Sequence, residues 1–230
     1  MPEPASIGVR NRLPRGPHGL SRQEVEQSQR ERLLFGATEA VAAKGYSAAS
    51  VADILRYAGV SRTTFYQLFD DKLECFLAAC EMASAVVASV MADELARIEA
   101  DGVTSPMDKL DHLLGAYLQS LSDNPDLARV FLVEVYAAGP QAIRQRRDSL
   151  EQFVDLVATT HRDSQGLLGT APEQRFAAEV LVAAVSSKAT TAVGLGEAEQ
   201  LVSLREPLMD FAARFFSSDH ANAAPAQPHR

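Results

Sequence analysis

A chain of 230 residues, 47% of them hydrophobic, has the size and composition of a globular protein with a small module and one larger body sharing a core. No uninterrupted apolar run approaches the roughly 18 residues of a membrane span, and the opening MPEPASIGVR lacks the apolar centre of a signal peptide, so a cytoplasmic protein with no membrane partner is expected. The net charge of −8 disfavours a polyanion over the whole surface; yet residues 1–72 carry ten Lys+Arg against eight Asp+Glu, and the remainder twelve against twenty-two.

Residues 1–20 hold four prolines and three glycines with Arg10, Arg12 and Arg15, which predicts a flexible basic arm. Such an arm either sets arginine into a DNA minor groove or is a disordered leader. Ser21 and Glu24 have capping-box spacing, and Leu33, Leu34, Ala37, Ala40 and Val41 mark the buried face of a helix reaching Lys44, where Gly45 stops it. Tyr46 is expected to pin the turn, and Arg30 and Arg32 to be solvated charges or backbone-phosphate contacts. A second capping box, Ser50 with Asp53, starts a helix at Val51 whose apolar side is Val51, Ile54, Leu55 and Ala58. Gly59 supplies the left-handed residue that ends it, and Ser61 caps the next helix two residues on. The result is a helix-turn-helix. In its second helix Phe65 and Leu68 turn inward, leaving Arg62, Thr63, Thr64, Tyr66 and Gln67 outward, a set of groups suited to reading base edges in a major groove. Asp71 and Glu74 then cap a helix starting at Lys72, whose ammonium beside free amides suits a phosphate.

The run of Gly45 and Tyr46, Ser50 and Val51, Asp53 and Ile54, Ala58 to Ser61, Thr64 to Tyr66, Phe69 and Lys72 resembles the DNA-binding segment of TetR/AcrR-family transcriptional regulators, over about Ser21 to Phe76. The resemblance implies that Ser61 through Gln67 form the recognition helix. Tyr66 and Lys72 would meet phosphates, Arg62, Thr63 and Gln67 would read bases, and Ser50 and Thr64 would complete the DNA-facing set. Members often have glycine or alanine where this chain has Thr63, and histidine or tyrosine where it has Gln67, departures expected to set operator preference.

Beyond Lys72 a long helix reaches about Ala100, apolar at Phe76, Leu77, Met82, Val86, Val90 and Met91. Ser105 with Asp108 caps the next, carrying Leu110, Leu113, Leu114, Tyr117, Leu118 and Leu121. Asn124 and Pro125 break it before a shorter helix with Leu127, Val130, Phe131, Val135 and Tyr136, which Gly139 and Pro140 end. Another helix runs to about His161, and Gly166 to Pro172 is a predicted loop. The last two helices are predicted over Phe176 to Val193 and Leu201 to Phe216, with Pro207 either starting the firm part of the second or kinking it. Ala184, Val185, Ala189, Val193, Leu204, Leu208, Phe211 and Phe215 are expected to form the dimerising seam, the alternative being ordinary monomer core. Residues 217–230 are expected to be a disordered tail.

No catalytic motif is present: there is no H-E-x-x-H, C-x-x-C, P-loop or G-x-S-x-G, so no enzyme, metal or cofactor is expected. Cys75 and Cys80 stand five apart on a predicted helix, turned away from each other; they are buried free thiols or, alternatively, a thiol sensor. The helical body is expected to bind a small-molecule effector of unknown identity among Val86, Val90, Leu114, Tyr117, Phe131, Glu134, Phe153 and Val157, each of which is otherwise plain core. Glu134, in an apolar run, either meets a ligand or points to solvent. The expected whole is all-α: a three-helix helix-turn-helix domain at 21–71 and a helical bundle at 72–216 that binds effector and dimerises. Two copies would read a pseudo-palindromic double-stranded DNA operator, most simply as a repressor released by a largely apolar effector. The competing function is a helical scaffold without sequence-specific DNA binding.

Overall fold

The computed structural model describes residues 21–162 and 171–217; the basic arm, most of the predicted loop after His161 and the tail lie outside them. Among the described residues every regular element is a helix. The head comprises α1 (Arg22–Lys44), α2 (Val51–Ala58) and α3 (Arg62–Leu68), and the body α4 (Lys72–Ala100), α5 (Pro106–Asp123), α6 (Pro125–Leu132), α7 (Pro140–Arg162), α8 (Ala171–Gly194) and α9 (Arg205–Ser217).

Helices of eight and seven residues are too short to persist alone, so α2 and α3 exist because of what they pack on. Ile54 and Phe65 are fully buried against Leu33, Ala37 and Val41 of α1, and burial of each such side chain stabilises the fold by about 1.5–3 kcal/mol. The approach of α1 to α2 is close enough that a Cβ on Gly36 would lie 2.7 Å from the Ile54 carbonyl oxygen. The same core continues through Cys75, Phe76 and Ala79 of α4 to Val130 of α6 and Val135, so head and body share one apolar interior. A second core joins α4, α5, α6 and α8 around Leu113, Leu118, Phe131, Leu132 and Ala189.

Both predicted capping boxes form. Ser21 and Ser50 each accept the amide of the acid three residues on, while Glu24 and Asp53 accept the cap amides in return. Three boundaries differ from the sequence expectation. The helix after Pro125 ends at Leu132 and tightens into a 3-10 turn at Glu134–Tyr136, which places Glu134 inward. The helix predicted from Phe176 begins at Ala171, with Pro172 in its first turn, where a missing N–H costs nothing. A 3-10 segment, Ala198–Leu204, precedes α9, and Pro207 sits in the first turn of α9, at the start of that helix. By length and composition α4 and α8 would each suffice to span a membrane; in this fold each turns one side into the core, with 39% and 33% of those apolar stretches buried.

Candidate nucleic-acid interface and effector cavity

The reading pair is built by three local devices. Gly59 takes φ 61° and ψ 36°, the left-handed conformation that turns the chain out of α2, and Ser61 Oγ accepts the Thr64 amide at 3.1 Å to start α3. The third device was not anticipated: Arg32, from α1, donates through Nε and Nη2 to the Ala58 carbonyl (3.0 and 2.7 Å) and through Nη2 to that of Gly59 (2.6 Å). It is a C-terminal clamp on α2, where a cation also meets the negative end of the helix dipole, and it is neither a solvated charge nor set toward a phosphate. Arg30 lies over the Phe69 ring at 5.3 Å.

With Phe65 fully buried, Arg62, Thr63, Tyr66 and Gln67 are exposed on α3, Tyr66 by 52%. The Arg62 guanidinium lies 6.0 Å from the Tyr66 ring centroid. Ser50, Ser61 and Thr64 differ in character: the Ser50 hydroxyl donates to Asp53 Oδ2 at 2.7 Å, and the Ser61 and Thr64 hydroxyls pair at 2.9 Å. Their hydroxyls are spent on helix starts, so in this structure they position α2 and α3. Lys72 requires a correction of the same kind. Its ammonium donates to the carbonyls of Tyr46 (2.8 Å) and Ala49 (3.0 Å) and lies 4.2 Å from the Tyr46 ring centroid, leaving one of three N–H bonds for a phosphate. Arg10, Arg12 and Arg15 lie outside the described residues.

Asp53, bonded first by Lys44 at 2.6 Å and then by the Ser50 hydroxyl and amide, is held well below the usual carboxylate range. A carboxyl lowered on folding stabilises above its unfolded value of about 3.9, and that contribution is lost as pH falls.

Glu134 is not in a cavity. It is 7% exposed and sits between head and body, accepting the Tyr46 amide on Oε2 at 2.8 Å and pairing Oε1 with Arg129 Nη2 at 3.0 Å. The partner that a buried carboxylate needs is thus supplied by the chain itself, which removes Glu134 from the effector set. Arg129 Nε is buried without a hydrogen-bond partner. Sequence inspection flagged Glu134 as costly to bury but had no means of locating Tyr46, 88 residues away.

The main cavity of the body, about 70 Å³, lies among α4, α5, α7, α8 and α9. Leu114, Tyr117, Phe153 and Val157 line it as anticipated, with Leu113, Leu150, Leu181, Val185, Ser186, Leu208 and Met209 among the others. Val86 and Phe131 instead line a minor gap between α4, α5 and α6, and Val90 lines neither, because α4 presents Met91 to the larger space. Tyr117 packs edge-on against Phe153 at 5.8 Å, and burial pushes its hydroxyl up to about 12 against the opposing pull of Arg146. Cys75 and Cys80 are free and buried, each thiol pushed by burial up to about 12, which withholds the thiolate a redox sensor needs.

The seam residues divide. Ala189, Val193 and Leu208 are buried in the subunit's own core, Val185 lines the cavity, and Leu204 packs partly against the second core, so these five are withdrawn from a free face. Ala184 and Phe211 keep surface, while the Phe215 side chain lies outside the described residues. The outward side of α8 is instead Phe176 (64% exposed), Val180, Ala183, Ala184, Ser187, Thr191 and, just beyond the helix, Leu195 (70% exposed).

Residues 33–79 match the profile of the family described as bacterial regulatory proteins, tetR family. A curated relative, the HTH-type transcriptional activator FasR of Mycolicibacterium smegmatis, is 28% identical over 147 residues, which are 64% of this chain but only 60% of that protein. The fold is similar to that of the transcriptional regulator FadR from Bacillus subtilis in complex with stearoyl-CoA (TM-score 0.67, 17% identity, covering 83% of this chain and 99% of that one). It is also similar to the fatty acid degradation regulator FadR from Bacillus halodurans (TM-score 0.65, 19% identity, 79% and 96%). Residues 33–79 thus match the tetR family of bacterial regulatory proteins, in agreement with the motif and its capped and exposed α3, and the chain has the fold of the FadR regulators.

Proposed function

We propose that the protein is a cytoplasmic transcriptional regulator without enzymatic activity, which binds a pseudo-palindromic operator as a homodimer and is released by a small, largely apolar effector. The observation that carries this is the construction of α3. Its inner side is anchored by Phe65 and its start is fixed by Ser61, Gly59 and Arg32, so that Arg62, Thr63, Tyr66 and Gln67 stand out together on a rigid support. Dimerisation through the outward side of α8 is supported by its exposed Phe176 and Leu195 and by the small residues between them, which allow close helix approach. Two heads on a two-fold axis would read half-sites about one DNA turn, or a multiple, apart. The cavity supports the effector part: its walls are hydrocarbon but for Tyr117 and Ser186, and a relative of the same fold holds stearoyl-CoA. At about 70 Å³ it must widen toward the roughly 300–1,000 Å³ of small-molecule sites, and parting α5, α7 and α8 is how binding would reach the heads.

Fluorescence anisotropy with the DNA upstream of the chain's own coding region tests this. Binding should weaken steeply with salt. Tyr66→Ala should lower affinity for all sequences alike, and Arg62→Ala or Gln67→Ala should relax base preference at a cost of about 1–3 kcal/mol per lost contact. Weak binding with no sequence preference would favour the scaffold function instead. The curated relative named an activator favours a second reading, in which the DNA-bound dimer raises transcription. A promoter–reporter assay with and without the protein separates it from repression.

A further inference from the structure

Given an effector cavity in the body, one side chain narrows the chemistry of what enters it. Arg146 of α7 is 3% exposed. Its Nη1 donates to the Phe131 carbonyl at 3.0 Å, its Nη2 to Ser186 Oγ at 2.7 Å and its Nε to the Tyr136 hydroxyl at 3.4 Å, with the Phe131 ring centroid 4.8 Å away. Every one of these partners is neutral, and among the described residues no carboxylate pairs with this guanidinium. A buried cation without a counter-charge is costly, and the usual remedy is an anion. Ser186 links this arginine to the cavity, since it is a lining residue and its hydroxyl accepts from Nη2. A second residue with a polar group also lines the cavity. Tyr117 is 8% exposed, feels the charge of Arg146, and its hydroxyl has no hydrogen-bond partner among the described residues. The cavity lining is therefore hydrocarbon but for Tyr117 and Ser186, and its corner at Ser186 is backed by positive charge.

We propose that this corner receives the carboxylate of an aliphatic acid, the carboxylate accepting from Arg146 Nη2 and from the Tyr117 hydroxyl while the chain lies against Leu113, Leu150, Phe153 and Leu181. An amine would meet a like charge there, and an uncharged chain would leave the arginine uncompensated. A coenzyme A ester presents a neutral carbonyl, and its own charges lie on a nucleotide too bulky for the corner. A bond from a guanidinium to a carboxylate is charge-assisted at both ends, which an alcohol cannot match.

The test is calorimetric titration of the purified full chain with dodecanoate, dodecan-1-ol and dodecanoyl-CoA. Dodecanoate should bind about tenfold or more tightly than the alcohol, as expected for a charge-assisted pair in place of a neutral one. Arg146→Met should erase that difference and leave the alcohol's affinity nearly unchanged, an outcome that a merely bracing role for Arg146 does not produce. Arg146→Gln, which keeps an amide donor for the Phe131 carbonyl and removes the charge, should do the same and serves if the methionine variant does not fold. Equal affinities for acid and alcohol, or an acid preference that survives both variants, would overturn the head-group assignment and leave the apolar effector standing. Tighter binding of the coenzyme A ester, indifferent to Arg146, would overturn it likewise. Failure of all three compounds to bind would overturn both.

Discussion

Arg32 shows how a residue's role depends on a neighbour the chain brings from elsewhere. Its three hydrogen bonds to the last carbonyls of α2 close the open end of that helix, and charge-assisted bonds of this kind contribute about 1.5–3 kcal/mol in all once desolvation is discounted. Arg32→Ala should therefore lower the thermal midpoint and weaken operator binding without altering base preference, measurable by calorimetry and anisotropy. Lysine should not rescue it, because a point charge lacks the planar fork that spans two carbonyls. Asp53 sets the pH response at the opposite end of α2. Its lowered pKa means the cap is intact at neutral pH and stability falls with acidification below about pH 4; Asp53→Asn should flatten that part of the pH–stability profile. The local caps at Ser21, Ser50 and Ser61 were legible in the sequence because both partners lie within three residues. Arg32, Lys72 and the Glu134–Tyr46 bond were not, because the partners lie 26 to 27, 23 to 26 and 88 residues away.

Among the elements, α2 and α3 were readable because each has one apolar side and a polar remainder. The helix α8 was not, since alanine and valine occur all round it and periodicity does not choose which side turns inward. Its inward side is Ala178, Leu181, Ala189 and Val193, so that two of the four α8 residues expected in the seam, Ala189 and Val193, turn into the subunit's own core. The predicted cavity failed in a similar way on α4, where Val86 and Val90 are apolar but Met91 faces the main space. The 3-10 turn after α6 carries the carboxylate that ties the body to the head. Glu134→Ala should cost about 1–3 kcal/mol by leaving the Tyr46 amide unpaired and Arg129 without its acid. The sharper readout is hydrogen exchange, in which protection of the Tyr46 amide should fall while the α2 amides keep theirs. Unchanged protection would show that the turn is held without the body.

For the molecule as a whole, the basic excess of residues 1–72 belongs to the arm, with three arginines against one glutamate, while residues 21–72 balance seven Lys+Arg against seven Asp+Glu and the acidic excess lies beyond them. Pairing through α8 is open to a direct test. Phe176→Glu together with Ala184→Glu should shift the sedimenting mass from twice 24.8 kDa to 24.8 kDa, with operator affinity falling about a hundredfold or more as the two half-sites cease to be linked. Retention of the larger mass would place the seam elsewhere.

The Tyr46 turn is gripped on one side by Glu134 and on the other by Lys72, the first residue of α4. The head thus has no swivel of its own, and follows whatever α4 does. A rod of 29 residues is about 43 Å long, so a lean of only about 5° at its far end carries the tip some 4 Å, more than the ~3.4 Å rise of one base pair. A slight displacement deep in the protein is enough to put a reader one rung out of step on its ladder.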